Sequence, residues 1–267
     1  RDRHLRILRD PQPPPAAQPA VTIAPSNLPA ALTSFIGRDD EFTRLDVLLA
    51  AGRLVTVVGP GGAGKTRLAL EAGRRHRHEY RDGTWLVDLS SVTEPAKVGA
   101  ALLAGIGLRS SALFETANRM RADGGELDAL VDQLNGRESL LVVDNCEHLI
   151  DAVAYLVSAL LPRCAGLRVL ATSREPLAVP GEVQLAIPPL DVPPPDAAPQ
   201  ETPAYDAVRL FLDRAGAALP AFRLDAATAE PVAEVCRRLD GIPLAIELAA
   251  ARVKTLAIGE LAARLDD

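Results

Sequence analysis

Residues Gly59-Pro60-Gly61-Gly62-Ala63-Gly64-Lys65-Thr66 set a lysine and a hydroxyl behind a glycine-rich run, at the spacing G-x-x-x-x-G-K-[ST]. These residue types suit one chemistry, the holding of linked phosphates. Glycines let the backbone curl until successive N–H groups point inward at phosphate oxygens. A lysine at this place neutralises the β- and γ-phosphates, and the threonine hydroxyl ligates Mg²⁺. Gly59, Gly61, Gly62, Ala63, Gly64, Lys65, Thr66 and Arg67 are therefore the candidate nucleotide-binding set, with Lys65 also a candidate catalytic group. The surroundings agree. Leu54–Val58 reads as a strand, and Thr66 to Arg75 as a helix whose N-terminus adds positive potential.

A magnesium ion beside that loop needs a carboxylate. Leu140-Leu141-Val142-Val143-Asp144 offers four apolar residues and then an acid, at the strand end where ligands gather in parallel sheets. Asp144 is read as the second metal-site residue beside Thr66, and as a catalytic residue; the plainer reading is a cap for the helix that follows. The next residue is Asn145, which can orient water but cannot take its proton. Glu147 could substitute, or simply favour a helix N-terminus. Hydrolysis by this site is expected to be slow. Arg168 to Glu175 reads as a strand ending in a polar cluster, where Arg174 either stabilises a γ-phosphate or pairs with Glu175 at the surface. Gly241-Ile242-Pro243-Leu244 closes one helix with glycine and opens the next with proline.

The elements that would position these groups alternate. Apolar runs at 54–58, 85–89, 140–143, 168–171 and 183–187 are separated by amphipathic segments, the clearest being Glu147 to Leu161. Such alternation implies an α/β fold with a parallel sheet covered on both faces. Residues 188–203 are proline-rich, and three helical stripes follow, at Ala207–Ala215, Val232–Leu239 and Leu244–Val253. The expected division is a tail and linker over 1–26 that ends a preceding helical domain, a nucleotide-binding domain over 27–190, a proline-rich linker over 191–204 and a helical domain over 205–267. The periodicity of 108–125 is too weak to assign.

Composition narrows the function. Of 267 residues, 48% are hydrophobic and 24% charged, which is globular and not disordered. The net charge of −6 argues against nucleic-acid binding by this chain. No apolar run is long enough to span a membrane. The three cysteines, Cys146, Cys164 and Cys236, are widely spaced, which fits reduced thiols in a cytoplasm. A first residue other than Met and an abrupt end after a helical pattern read as a piece of a longer protein. His76 and His78 suit a helix C-terminus, Cys146 and His148 lack partner ligands, and Trp85 reads as sheet core.

Phe35-Ile36-Gly37-Arg38, the phosphate loop, LLVVDNCEH, VLATSRE and RRLDGIPLAIELAAAR follow one another in an order that resembles the nucleotide-binding domain of STAND P-loop NTPases (NB-ARC-like), and within them the AfsR/SARP-type bacterial transcriptional activators. The resemblance covers about 27–267. It implies a five-stranded parallel sheet in the order 5-1-4-3-2 and a small helical domain of the ARC1 type. It implies that Ile36 and Arg38 contact the adenine end, that Arg174 senses the γ-phosphate, and that Pro243 packs on the nucleotide in a closed ADP form. It implies ATP/ADP and Mg²⁺ as cofactors, and a weak ATPase working as a switch. ADP-bound closed and ATP-bound open states would then control DNA binding and oligomerisation of the full protein. The tail RDRHLRILRDP resembles the end of the activation domain upstream, and a winged-helix domain is expected downstream. Asn145 departs from the commoner acidic pair. The alternatives are a non-hydrolysing nucleotide-binding module and a P-loop phosphotransferase.

Overall fold

The computed structural model describes residues 24–107, 125–198 and 200–265. The expected tail helix at 1–10, the proline-rich stretch at 11–20 and the unassigned segment before Gly125 lie outside the described residues.

Five strands form one parallel sheet: β1 (Leu54–Val58), β2 (Thr84–Asp88), β3 (Ser139–Asp144), β4 (Leu167–Ser173) and β5 (Glu182–Ala186). Their order is β2-β3-β4-β1-β5, the one the resemblance implies. Each runs within two residues of its apolar stretch. The side-chain period of two splits every strand between two layers. Leu141, Val143, Val169 and Ala171 face a core closed by α3 (Val98–Gly105), α4 (Gly125–Leu134) and α5 (Ile150–Leu160). Leu140, Val142, Leu170, Val55 and Val57 face the opposite core, closed by α1 (Asp39–Ala51) and α2 (Lys65–Arg75). Both faces are apolar, which is why β3 reads as a continuous hydrophobic run.

Three features depart from the sequence reading. The helix expected from Glu147 is broken: Cys146–His148 form a 3-10 turn, Leu149 takes φ −135°, and α5 begins at Ile150. Helix α1 has no counterpart among the expected segments. It starts from Arg38 in left-handed backbone (φ 72°), carries Asp39, Asp40 and Glu41 in its first turn where the helix dipole favours acids, and buries Phe42, Leu45 and Leu49. The proline-rich stretch after β5 is docked and not free: the Leu190 N–H donates to Gly241 O at 2.9 Å, and Ala207 N–H to Asp191 O at 3.2 Å.

Beyond it, α6 (Asp206–Ala218), α7 (Ala229–Arg238), α8 (Pro243–Ala251) and α9 (Ile258–Ala263) pack around Phe211, Val208, Val235, Cys236, Ile246 and Ala250. The three stripes supply that core.

The segment ahead of α1 lies along β2. Thr84 N–H donates to Pro25 O at 3.1 Å. The Asn27 amide then pairs with the Leu86 backbone, Nδ2 donating to Leu86 O at 2.9 Å while Oδ1 accepts from Leu86 N at 2.6 Å.

Candidate functional site

The phosphate loop leaves β1 and enters α2 through two residues in left-handed backbone, Gly62 (φ 76°) and Gly64 (φ 93°). Only glycine adopts these angles without strain. Lys65 is buried, and its ammonium folds back over the loop, donating to Gly59 O at 2.9 Å and Pro60 O at 3.0 Å. Burial pulls Lys65 below the ordinary lysine pKa; the carboxylates of Glu147 and Asp144 oppose that pull, and Arg174 adds to it.

At the next residue, the Thr66 hydroxyl donates to Asp144, 2.8 Å from Oδ1 and 3.0 Å from Oδ2. Thr172, at the end of β4, donates to the same Oδ1 and receives the N–H of Asn145 at 3.0 Å. Asp144 therefore does not cap a helix. Burial raises its pKa, the two hydroxyls restrain the rise, and the charges of Asp88 and Glu147 add to it. Asp88 sits in register with Asp144 on the neighbouring strand. The sequence reading passed over it, although an acid closing the run TWLVD is the same pattern as LLVVD.

Arg174 sits at the loop mouth and pairs with Glu147 at 3.2 Å, not with Glu175. Its Nη2 lies 3.4 Å from where a Cβ on Gly61 would fall. The arginine side chain is 66% exposed, so the pair is worth about 1 kcal/mol at most.

Arg38 is buried; its guanidinium donates to Ala63 O of the loop at 3.1 Å and pairs with Glu41 at 3.1 Å. Ile36 packs against the helical core. Arg67 donates to Thr33 O at 2.9 Å and to Ser34 O at 2.5 Å, so it anchors the chain ahead of α1. Arg214, on α6, pairs with Glu247 of α8 at 2.9 Å and reaches Ser34 O at 3.1 Å. Arg214 and Glu247 were not among the sequence candidates, because long-range ion pairs leave no mark on local spacing.

The helical bundle meets the loop directly. The Leu244 N–H donates to Gly62 O at 3.2 Å, and Pro243 Cγ lies 3.9 Å from a Cβ built on Gly64. Between bundle and loop a cleft of about 40 Å³ is lined by Ile36, Arg38, Ala63, Gly64, Pro243 and Glu247. The structure thus brings Ile36, Arg38, the loop and Pro243 to one cleft, and Lys65, Thr66, Asp144 and Arg174 to the adjoining mouth.

These residues fit a nucleotide with Mg²⁺. The loop is a cradle that side chains at Gly62 and Gly64 would strain, Lys65 is a cation with only carbonyls to hold, and Thr66 and Asp144 form an oxygen-only donor pair suited to magnesium. Among the described residues no cluster of three or more His, Cys, Asp or Glu offers another metal site. The three cysteines are free and buried, and burial pushes the Cys236 thiol up to about 12. No helix of the described residues is long and apolar enough to cross a membrane.

Parallel order 2-3-4-1-5, a phosphate loop after β1 and an acid closing β3 define a P-loop NTPase domain of the α/β class. Residues 50–174, which hold the phosphate loop and the strands β3 and β4, match the AAA domain family. It is 40% identical, over 253 residues, to the uncharacterized protein Rv0894 of Mycobacterium tuberculosis, a match that covers 95% of this chain and 59% of that one. It is 32% identical to the regulatory protein AfsR of Streptomyces coelicolor, covering 92% of this chain and 24% of AfsR. The chain therefore spans less than two thirds of the length of the first relative and about a quarter of the second. Among solved structures, it is similar to a STAND protein with a tetratricopeptide repeat sensor from Pyrococcus horikoshii (TM-score 0.52, 17% identity, 89% of this chain and 33% of that one). A Walker-type ATPase of Pyrococcus abyssi is also similar (TM-score 0.54, 16% identity, 86% of this chain and 71% of that one). At these identities the likeness is one of fold.

Proposed function

We propose that this chain is the nucleotide-operated switch of a larger transcriptional regulator, binding ATP or ADP with Mg²⁺ and hydrolysing ATP slowly. The observation that carries the reading is the hydrogen bond from Leu244 to Gly62. The loop that cradles phosphates is itself the surface on which the helical bundle rests. The reading divides the chain at the docked proline-rich stretch, with a nucleotide-binding domain over 27–190 and a helical domain over 205–267.

The residues divide the work by position. Lys65 exchanges its loop carbonyls for phosphate oxygens, and the loop N–H groups hold the rest of the chain of phosphates. Thr66 and Asp144 hold Mg²⁺, which when bound offsets charge on the β- and γ-phosphates. Arg174 reads the γ-phosphate. Ile36, Arg38 and Pro243 meet the base end. The cleft there holds little more than a water molecule or two. Seating a base therefore asks the bundle and the loop to move apart.

A ligand shifts two states only by its difference in affinity between them. Moving the balance from 1:99 to 99:1 takes about 5.5 kcal/mol. Two to four charge-assisted hydrogen bonds at roughly 1.5–3 kcal/mol each reach that figure. In the whole regulator this switch would govern DNA binding by other domains, and self-association in the ATP state. The chain's own net charge of −6 supports leaving DNA contact to those domains. A cytoplasmic setting accords with buried free thiols.

The test is equilibrium binding of fluorescent ADP and ATP to the parent chain and to Lys65→Ala. Loss of one charge-assisted phosphate contact is expected to weaken binding about 100-fold. Equal binding by both would remove the site assignment. A second reading, nucleotide as a fixed structural cofactor, is favoured by Asn145 standing where an acid would activate water. Phosphate release that disappears in Asp144→Asn would exclude it.

A further inference from the structure

Asn145 and Glu147 both follow the acid that closes β3, and the backbone gives them different roles. Asn145 lies in left-handed conformation (φ 68°, ψ 45°), one of the few residue types that does so readily. Its N–H is held by the Thr172 hydroxyl. The residue turns the chain sharply out of β3 and starts the 3-10 turn of Cys146–His148, which carries Glu147 back toward the loop.

Glu147 arrives there half satisfied. Oε1 accepts from Arg174 Nε, whereas Oε2 is buried without a hydrogen-bond partner among the described residues. Burying a carboxylate oxygen with no donor is unfavourable, and it leaves Oε2 an open acceptor whose use depends on its surroundings. The surroundings name the use. Among the charges acting on Lys65, that of Glu147 is felt more strongly than that of Asp144, and Arg174 reaches over Gly61. Lys65, Arg174 and Glu147 thus ring the mouth of the phosphate loop.

We propose that Glu147, and not Asn145, is the general base of ATP hydrolysis, and that Arg174 is the latch that holds it idle until a γ-phosphate draws the arginine away. This rests on the nucleotide-switch reading above. In the step itself, a water oxygen forms its bond to the γ-phosphorus as the bond from that phosphorus to the bridging oxygen breaks. The water proton passes to Glu147 and then to the released phosphate, leaving ADP. The proposal accounts for an asparagine after Asp144. That position is given to the turn, and the acid is moved two residues on.

The experiment uses the 267-residue chain and three variants: Glu147→Gln, Asn145→Gly and Lys65→Ala. Single-turnover hydrolysis of ATP and equilibrium affinities for MgATP and MgADP are measured for each. Glu147→Gln is expected to lose hydrolysis by about 100-fold or more, the usual worth of a general base. Its MgATP affinity is expected to rise about tenfold relative to MgADP, because the arginine is released for the phosphate and a repelling charge is gone. Asn145→Gly keeps the left-handed turn, removes the amide, and is expected to hydrolyse within about threefold of the parent. Parent-like hydrolysis by Glu147→Gln overturns the proposal, as does loss of hydrolysis confined to Asn145→Gly. A parent that binds ATP tightly yet leaves it intact also overturns it, while the binding reading stands. Binding by Lys65→Ala equal to the parent is the separate failure of the site itself.

Discussion

The backbone N–H of Leu244, in the first turn of α8, donates to the carbonyl of Gly62, in the middle of the phosphate loop, at 3.2 Å. Residues nearly two hundred positions apart in the chain thus share one hydrogen bond. Whatever moves the loop is felt by the helical bundle, and the reverse holds.

Gly62→Ala tests that joint. Gly62 has φ 76°, and an added Cβ would lie 3.1 Å from Leu244 Cβ and 3.2 Å from Ile242 Cγ2. The left-handed backbone alone costs about 1–2 kcal/mol for a residue with a Cβ. Chemical denaturation of the nucleotide-free protein is expected to show at least that loss. Nucleotide affinity should fall as well, since loop and bundle are strained together. An unchanged denaturation midpoint would mean that the joint is loose in solution.

Asp144→Asn separates the metal from the fold. Burial raises the pKa of Asp144, so the ionised carboxylate costs stability at neutral pH relative to the unfolded chain. Asparagine keeps an acceptor for the Thr66 and Thr172 hydroxyls without the charge. In the absence of metal the variant is expected to melt at or above the parent temperature. Titration with Mg²⁺ should then strengthen ATP binding to the parent and leave the variant unmoved. A metal-free variant that melts well below the parent would show that the carboxylate is mainly structural.

His76 gives the protein a pH-dependent increment. Burial lowers its pKa, but hydrogen bonds to Asp46 (2.7 Å) and Glu79 (2.9 Å) outweigh burial and leave it raised above 6.5. A raised histidine contributes stability that is complete below the unfolded value and is lost as pH climbs through the folded one. Urea midpoints of the parent and His76→Gln should differ near pH 5.5 and converge at about pH 9. A gap that persists at the alkaline end would assign the effect to packing.

The strands were legible because β1 to β5 each carry Leu and Val within a short apolar stretch, four of them bounded by glycine or a charge. The loop was legible because its glycines and lysine leave few alternatives. What escaped was set by distance. Helix α1 was missed because it starts on a left-handed arginine with no capping side chain, held by the carbonyl of Ala63 twenty-five positions on. The break before α5 was missed because Leu149 and Ile150 continue the apolar rhythm, while the backbone follows Asn145. Arg174 was read as a sensor of the γ-phosphate or else a partner of Glu175, and the acid it meets is Glu147, in the turn after β3. Arg67 carries no sign in its own neighbourhood that it ties down Thr33 and Ser34.

Asn27 presents to β2 a donor and an acceptor at the spacing of a strand residue, from a side chain. Open sheet borders invite another chain to add itself, which leads to aggregation. Here a single amide, with Pro25 beside it, fills the hydrogen-bonding groups of Leu86 and Thr84 that would otherwise recruit a stranger. The border is blunted without a sixth strand. The short segment ahead of α1 that holds Pro25 and Asn27 thus guards the sheet against misassembly, and removing it would be felt first as lost solubility and only afterwards as lost activity.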